Sequence, residues 1–321
     1  MKNVLVTGGA GYIGSHACKA LKIAGYNPVT FDNLVTGWAD AVRFGPFEQG
    51  DIFDAALLDE VFARWQPVAV MHFAALSQVG EAMQEPGRYW RSNLVASLTL
   101  IEAAVRAGCL NFVFSSTCAV YGDQDGVVID ENTVQSPINA YGASKRAIED
   151  VLRNFGHTYG LRSIIFRYFN VAGADPTGEL SERHVPETHL IPILLEVAKG
   201  KRDHVKIFGS DYATPDGTCI RDYIHVADLV DAHLLGLQWL EAGRGSNVFC
   251  LGSGHGYSVR QVVEEARSIV GHPIPVIMAD RRAGDAASLV CGSRHALQQL
   301  GWAPQRSLLP IMIEDAWRSM G

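Results

Sequence analysis

The stretch Val4-Leu5-Val6-Thr7-Gly8-Gly9-Ala10-Gly11-Tyr12-Ile13-Gly14 limits the fold of this chain more than any other. An apolar run, a glycine-dense turn and a helically spaced run over 12–24 follow one another there. Gly9, Gly11 and Gly14 satisfy GxGxxG, and Gly8, Gly11 and Gly14 satisfy GxxGxxG. Glycine permits the tight turn and lets a pyrophosphate approach the backbone, while Gly14 lets the helix pack closely on a sheet. Free amides and the positive end of the helix then face a diphosphate. A glycine motif alone is weak. With a strand before it and a helix after it, it predicts a dinucleotide site.

Apolar runs at 4–6, 28–31, 68–73, 111–115 and 163–168 alternate with helical patterns at 12–24, 55–65, 90–107 and 141–155. This predicts an α/β fold, a Rossmann-type doubly wound parallel sheet covered on both faces. The character changes after Asn170: 174–186 is polar and loop-like, and helices are expected at 191–199, 226–240 and 259–270, with a strand at 247–251. The expected division is a NAD-binding domain over 1–170 and a smaller C-terminal α/β substrate-binding domain over 171–321. Segments near 221–240 are allowed to pack back on the first domain. Asp32 ends the second strand, eighteen residues after Gly14. A carboxylate there accepts hydrogen bonds from a ribose diol and repels a 2′-phosphate, which favours NAD over NADP.

Charge and composition exclude other classes. The formal net charge of −7 argues against nucleic acid or an anionic membrane as partner. No run approaches the ~20 apolar residues of a spanning helix, and the N-terminus does not read as a signal peptide. A cytoplasmic protein is expected. The six cysteines are scattered and none stands at CxxC spacing, which suits a reducing compartment. His184 and His189 lie five apart with no cysteine cluster or HExxH beside them, so no metal site is expected.

Tyr141 and Lys145 stand four apart and share one helix face. Bringing a phenol from a pKa of ~10 to near 7 takes roughly 4 kcal/mol. An adjacent ammonium in a partly dry site, aided by an oxidised nicotinamide, is expected to supply it and make a proton acceptor suited to neutral pH. Thr117 follows the fifth strand at its carboxyl end, where open α/β sheets bind ligands, and is placed to hydrogen-bond a reacting hydroxyl. Taken singly, a YxxxK spacing is an ordinary solvated helix face, and a threonine at a strand end an ordinary turn cap.

These residues, with Asp51-Ile52, His72-Phe73-Ala74-Ala75, Val79-Gly80-Glu81, Asn93, Arg167-Tyr168-Phe169-Asn170, Asp216-Gly217-Thr218, the run Arg221 to Val226, Arg281-Arg282 and Gly284-Asp285, carry a resemblance. The chain resembles the extended short-chain dehydrogenase/reductase family, and within it the UDP-glucose 4-epimerases, over nearly its whole length. The resemblance implies NAD-dependent 4-epimerisation of a UDP-sugar through a transient 4-keto sugar, UDP-glucose/UDP-galactose being the expected pair. Tyr141 is then the acid/base, Lys145 tunes it and holds the ribose, and Thr117 orients the hydroxyl. The cofactor set it implies is Gly8, Gly11, Tyr12, Ile13, Gly14, Asp32, Asn33, Asp51, Ile52, Phe73, Ala74, Ala75, Ser77, Asn93, Ser115, Tyr141, Lys145 and Tyr168. The substrate set is Thr117, Asn170, His189, Leu190, Ile207, Phe208, Arg221, Tyr223, Arg282, Asp285 and Leu289. Arg221 and Arg282 suit a diphosphate, because a guanidinium gives bidentate, permanently charged hydrogen bonds.

Some members of the family carry lysine at the place of Ser77, asparagine at that of His189, and serine at that of Thr117. Leu289 stands where a tyrosine narrows the sugar pocket in some of them, so N-acetylhexosamines enter as alternative substrates, and UDP-xylose/UDP-arabinose stay open. A nucleotide-sugar dehydratase needs Asp-Glu after the threonine, where this chain has Cys118-Ala119. A non-catalytic NAD-binding regulator would not need Tyr141, Lys145 and the arginines together. A homodimer through a helix bundle is implied, with 90–107 and 141–155 as candidate faces.

Overall fold

The computed structural model describes residues 1–124, 126–282 and 285–321. Gly284 therefore lies outside the described residues.

The first half alternates strand and helix: β1 (Asn3–Thr7), α1 (Tyr12–Ile23), β2 (Asn27–Asp32), β3 (Phe47–Gln49), α2 (Ala55–Trp65) and β4 (Ala69–His72). Two short helices follow, α3 (Val79–Gln84) and α4 (Pro86–Tyr89), then a π-helical turn at Trp90–Val95 that runs into α5 (Ala96–Arg106). β5 (Asn111–Thr117), α6 (Ala140–Tyr159) and β6 (Arg162–Tyr168) complete this part. The helix expected over 90–107 is thus a composite. Its first turn and a half is wider than an α-helix, which admits an extra residue and re-aims Asn93 inward.

The second half adds β7 (Asn170–Ala172), α7 (Leu190–Ala198), β8 (Val205–Phe208), β9 (Ile220–His225), α8 (Val226–Glu241) and β10 (Asn247–Leu251). It ends with β11 (Gly256–Ser258), α9 (Val259–Val270), β12 (Val276–Ala279), β13 (Ser288–Leu289), α10 (His295–Leu300) and α11 (Leu309–Ser319).

The main sheet has seven strands in the order β10-β6-β5-β4-β1-β2-β3, all parallel. Its centre is apolar on both faces, as two-sided burial requires. On one face Leu5, Val70, Phe112 and Phe114 pack with Leu58, Phe62, Leu100 and Leu152. On the other, Val4, Val6, Met71 and Phe166 pack with Cys18, Leu21, Leu229 and Leu237. The chain leaves this sheet after β6 and returns to it: β10 pairs with β6, and α8 lies beside α1 against β5 and β6.

A second core gathers Ile191, Leu194, Ile207, Val262, Ile274, Met312 and Ile313 beneath two small sheets. One is β11-β9-β13 with β7 alongside β9, and the other pairs β12 with β8. Most of these strands have four residues or fewer, too short for an alternating pattern to stand out along the chain.

Candidate active site

The cofactor residues read from sequence stand at the carboxyl ends of adjacent parallel strands. Gly8 to Gly14 follow β1, Asp32 and Asn33 end β2, Asp51 and Ile52 follow β3, Phe73 to Ser77 follow β4, Ser115 lies on β5 and Tyr168 closes β6. Gly8 sits at φ +72°, and a Cβ there would stand 2.5 Å from the Ala74 backbone nitrogen. Only glycine lets the turn lie this close to the loop after β4. Gly11 caps α1 with no side-chain bond, and the first turn carries no acidic residue, so the helix end is open to an anion.

The Asp32 carboxylate is anchored by the Ala10 amide at 3.0 Å and the Leu34 amide at 2.8 Å. Burial nonetheless raises its pKa, against the lowering effect of both bonds. A ribose diol donating there would relieve that strain. Asn33 donates to Asp51 at 2.9 Å, which ties the ends of two strands together. These groups fit NAD: a backbone cradle that a Cβ would fill, an open helix end and an acceptor for the ribose. Ser77 is exposed, and Ile52 belongs to the core, its side chain 8 % exposed.

Asn93 is buried, its amide oxygen accepting from the Leu76 amide at 2.9 Å. Its amide nitrogen donates to the Leu76 carbonyl at 3.0 Å and to Ser144 at 3.1 Å. It therefore locks the loop after β4 to α6. His72 is held between Thr7 and Ser97, each 2.7 Å from one ring nitrogen, and burial pulls its pKa down to about 3.

α6 begins at a side-chain cap, Asn139 accepting from the Gly142 amide at 2.8 Å. A Cβ on Gly142 would lie 2.3 Å from the Ala119 carbonyl oxygen, so this glycine lets the helix meet the segment that leaves β5. That contact sets Tyr141 against Ala119, beside Thr117, whose hydroxyl accepts from the Ala119 amide at 3.1 Å. Burial pushes the Tyr141 phenol well above its ordinary value, and the Thr117 hydroxyl only partly offsets it. Burial also pulls the Lys145 ammonium down to about 7, opposed by the Glu149 carboxylate. Lys145 donates to the Ser115 carbonyl at 2.9 Å and lies over the Phe114 ring. The phenol expected for neutral pH draws on both Lys145 and an oxidised nicotinamide, and the protein's own groups do not lower it. Its dry pocket favours the uncharged forms of both groups.

Below them lies a buried array of which the sequence reading named Arg167 but not Glu149. Glu149, one turn beyond Lys145, receives Arg167 at 2.6 Å, Ser116 at 2.5 Å and Gln135 at 2.9 Å. Arg167 also donates to the Tyr121 hydroxyl at 2.9 Å. The i,i+4 spacing of Lys145 and Glu149 was visible, but not that the arginine of β6 fixes the carboxylate.

The substrate residues converge from the second half. Asn170 and Tyr223 are register partners across β7 and β9. Arg221 pairs in register with Leu289 of β13. Asp285 joins the arginines, 3.7 Å from Arg221 and 3.0 Å from Arg282. The Arg282 guanidinium also covers the Phe208 ring at 4.7 Å. Beside this group the buried Tyr212 hydroxyl has no hydrogen-bond partner among the described residues, a polar atom the sequence reading missed. The Ile207 side chain belongs to the second core, and Leu190 is half-buried against it. His189 caps the start of α7 and turns toward Glu187 and Glu182 rather than into the arginine group. A cavity of about 1040 Å³ lined by Arg153, Arg162, Asn247 and His295 lies apart from all these residues.

The family model for the NAD dependent epimerase/dehydratase family matches residues 4–252. A UDP-glucose 4-epimerase of Rhizobium meliloti (strain 1021) is 48 % identical over 315 residues, covering 98 % of this chain and 96 % of the relative. The crystal structure of UDP-glucose 4-epimerase from Brucella ovis in complex with NAD superposes with a TM-score of 0.97 at 45 % identity, covering 100 % of this chain and 99 % of that one. The enzyme of the same name from Bifidobacterium longum, in complex with NAD+ and UDP, gives a TM-score of 0.93 at 34 % identity, covering 100 % and 99 %.

Proposed function

Because the chain belongs to the NAD dependent epimerase/dehydratase family, we propose that it is a UDP-sugar 4-epimerase, an isomerase acting first on UDP-glucose and UDP-galactose. The observation that carries this reading is the buried Tyr141 and Lys145 on one face of α6, set against the segment that leaves β5, in a chain that also holds a glycine turn shaped for NAD and a two-arginine group suited to a diphosphate. Bound NAD⁺ supplies a reversible hydride acceptor and a positive charge. Gly8 to Gly14 would hold its diphosphate by backbone amides, Asp32 would accept from its adenosine ribose, and Lys145 would reach its other ribose.

Tyr141 takes the proton of the sugar 4-hydroxyl and later returns it to the same oxygen. The buried phenol needs added positive charge to ionise, so proton abstraction is coupled to cofactor occupancy and to the charged form of Lys145. Thr117, beside Tyr141, aligns the sugar oxygen. Inversion requires the oxidised sugar to present its other face. Arg221 and Arg282 suit this, because they grip one end of the substrate and leave the ring free to turn.

Dehydration is disfavoured at this site. Burial pushes the Cys118 thiol up to about 12, and Ala119 has no titratable group, so nothing after Thr117 can act at carbons 5 and 6 near neutral pH. Leu289 is half-buried against the cluster of Cys118, Phe169 and Cys291, and a leucine, smaller than a tyrosine, favours tolerance of an N-acetyl group. All six cysteines are buried free thiols, which supports a reducing, cytoplasmic compartment, and the UDP-glucose/UDP-galactose pair supports a place in galactose metabolism. Met83, Trp90 and Val95 are exposed on neighbouring helical segments, an apolar face that supports a homodimer.

The test is incubation of purified protein with UDP-galactose, UDP-N-acetylgalactosamine and UDP-arabinose without added reductant. UDP-glucose is the expected product from the first. Absence of turnover with every one of the three ends the proposal.

A further inference from the structure

The polar loop between β7 and α7 carries Glu182, His184, Glu187 and His189, a Glu-x-His-x-x-Glu-x-His pattern. Their spacing alone gave no metal motif. The fold of the loop brings one ligand atom from each to within 4.8 Å of all the others. His189 Nδ1 lies 2.9 Å from Glu187 and 3.1 Å from Glu182. His184 Nδ1 lies 3.3 Å from Glu187 and 3.4 Å from Glu182. The two imidazoles meet different oxygens of Glu187, and a set of one atom per residue spans up to 4.8 Å, so a tetrahedral zinc ion, with bonds of about 2.0–2.2 Å and ligand atoms about 3.3–3.6 Å apart, needs a small adjustment of the side chains.

Charge gives a second argument. The Glu182 and Glu187 side chains are 7 % and 4 % exposed, and among the described residues neither carboxylate pairs with a lysine or arginine. Arg183 is turned to Asp40, and Arg202 donates to the Glu187 backbone carbonyl, not to its carboxylate. Two buried carboxylates need about two positive charges beside them. Each imidazole places a single Nδ1 between both carboxylates, where one proton can serve only one acceptor at a time. A divalent ion at the centre meets all four ligands at once.

We propose that Glu182, His184, Glu187 and His189 bind one divalent cation of the zinc type in a closed, four-ligand structural site. The ion fastens the loop against the start of α1, where His184 meets the Tyr12 ring edge-on and the Tyr12 hydroxyl donates to the Gly173 carbonyl at 2.6 Å. A four-ligand site has no open position for substrate, so it is structural rather than catalytic. His189 then serves the sugar site by fixing the start of α7, not by touching the substrate.

The test uses full-length protein, freed of any affinity tag and stripped with a chelator. Co²⁺ is titrated in and followed by its visible tetrahedral absorption, then displaced with Zn²⁺. The expected result is one equivalent per chain, a rise in Tm with Zn²⁺, and affinity weakened about tenfold to a hundredfold or more in Glu182→Gln and in His184→Asn. Absence of a tetrahedral Co²⁺ band in the wild-type protein, with no Zn²⁺ retained after dialysis, overturns the proposal in favour of two imidazolium ions. A band unchanged in both variants also overturns it. If either variant fails to fold, the wild-type titration decides. Metal binding is read without turnover, so failure of the epimerase reading leaves this result untouched.

Discussion

The two sides of the site are built by different means. On the proposed cofactor side the cradle is largely backbone at the ends of parallel strands, with Asp32 and Lys145 adding side chains, and the side chains that support it are buried and paired. Asn93, His72 and the Glu149–Arg167 pair are examples. On the substrate side the contacts come from side chains on short strands and irregular segments. The Arg282 side chain is 55 % exposed, and Asp285 partly neutralises it before any ligand arrives. A cofactor that stays through turnover suits a preformed cradle. A substrate that must enter, turn over and leave suits groups that exchange an internal carboxylate for a phosphate.

The sharpest way to break this comparison is at the point where the two sides meet. Tyr141→Phe is expected to lower kcat by about 10²–10⁴-fold while the protein keeps its NAD, measured by a coupled UDP-galactose assay and by cofactor content. Loss of cofactor together with activity would show that the cradle is not independent of the catalytic phenol.

Next in size is the buried support. Glu149→Gln leaves Arg167 charged without its partner, and the cost is expected to be about 3–5 kcal/mol, read from denaturant unfolding. Arg88→Ala removes an exposed pair with Glu81 and is expected to change stability by less than about 1 kcal/mol. Equal effects would remove the distinction between the buried array and the surface.

A third prediction concerns acid. Burial lowers His72 to about 3 and both His16 and His233 to about 4, all three packed around the main sheet. Their folded pKa values lie below the unfolded value near 6.5, so the unfolded chain binds the extra protons. Their stabilising effect is full above about 6.5 and is lost as pH falls toward 4. Tm is therefore expected to drop steeply across that window, with up to three protons taken up on unfolding. His233→Phe should reduce the uptake by one, and an unchanged slope would refute the assignment.

The smallest effect sharpens the substrate side. Arg282→Ala is expected to raise KM for UDP-galactose about tenfold to a hundredfold with a much smaller change in kcat. Arg281, which faces Asp211 and the Tyr212 ring, should give a near-neutral alanine variant in the same assay. A fall in kcat alone for Arg282→Ala would mean that the arginine acts on the transition state rather than as an anchor.

The amino-acid sequence by itself determined the parts that obey local rules. The glycine turn, Asp32 at a strand end, the helix with Tyr141 and Lys145 on one face, and the continuous apolar strands are all set by spacing within a few residues. Tertiary structure decided the rest. It returned β10 to the first sheet, set Arg167 against Glu149, put Asp285 between two arginines and folded Glu182, His184, Glu187 and His189 onto one point. These partners are fixed by pairing of short strands and by the path of irregular segments, whose registers follow from long-range packing and leave no periodic trace along the chain.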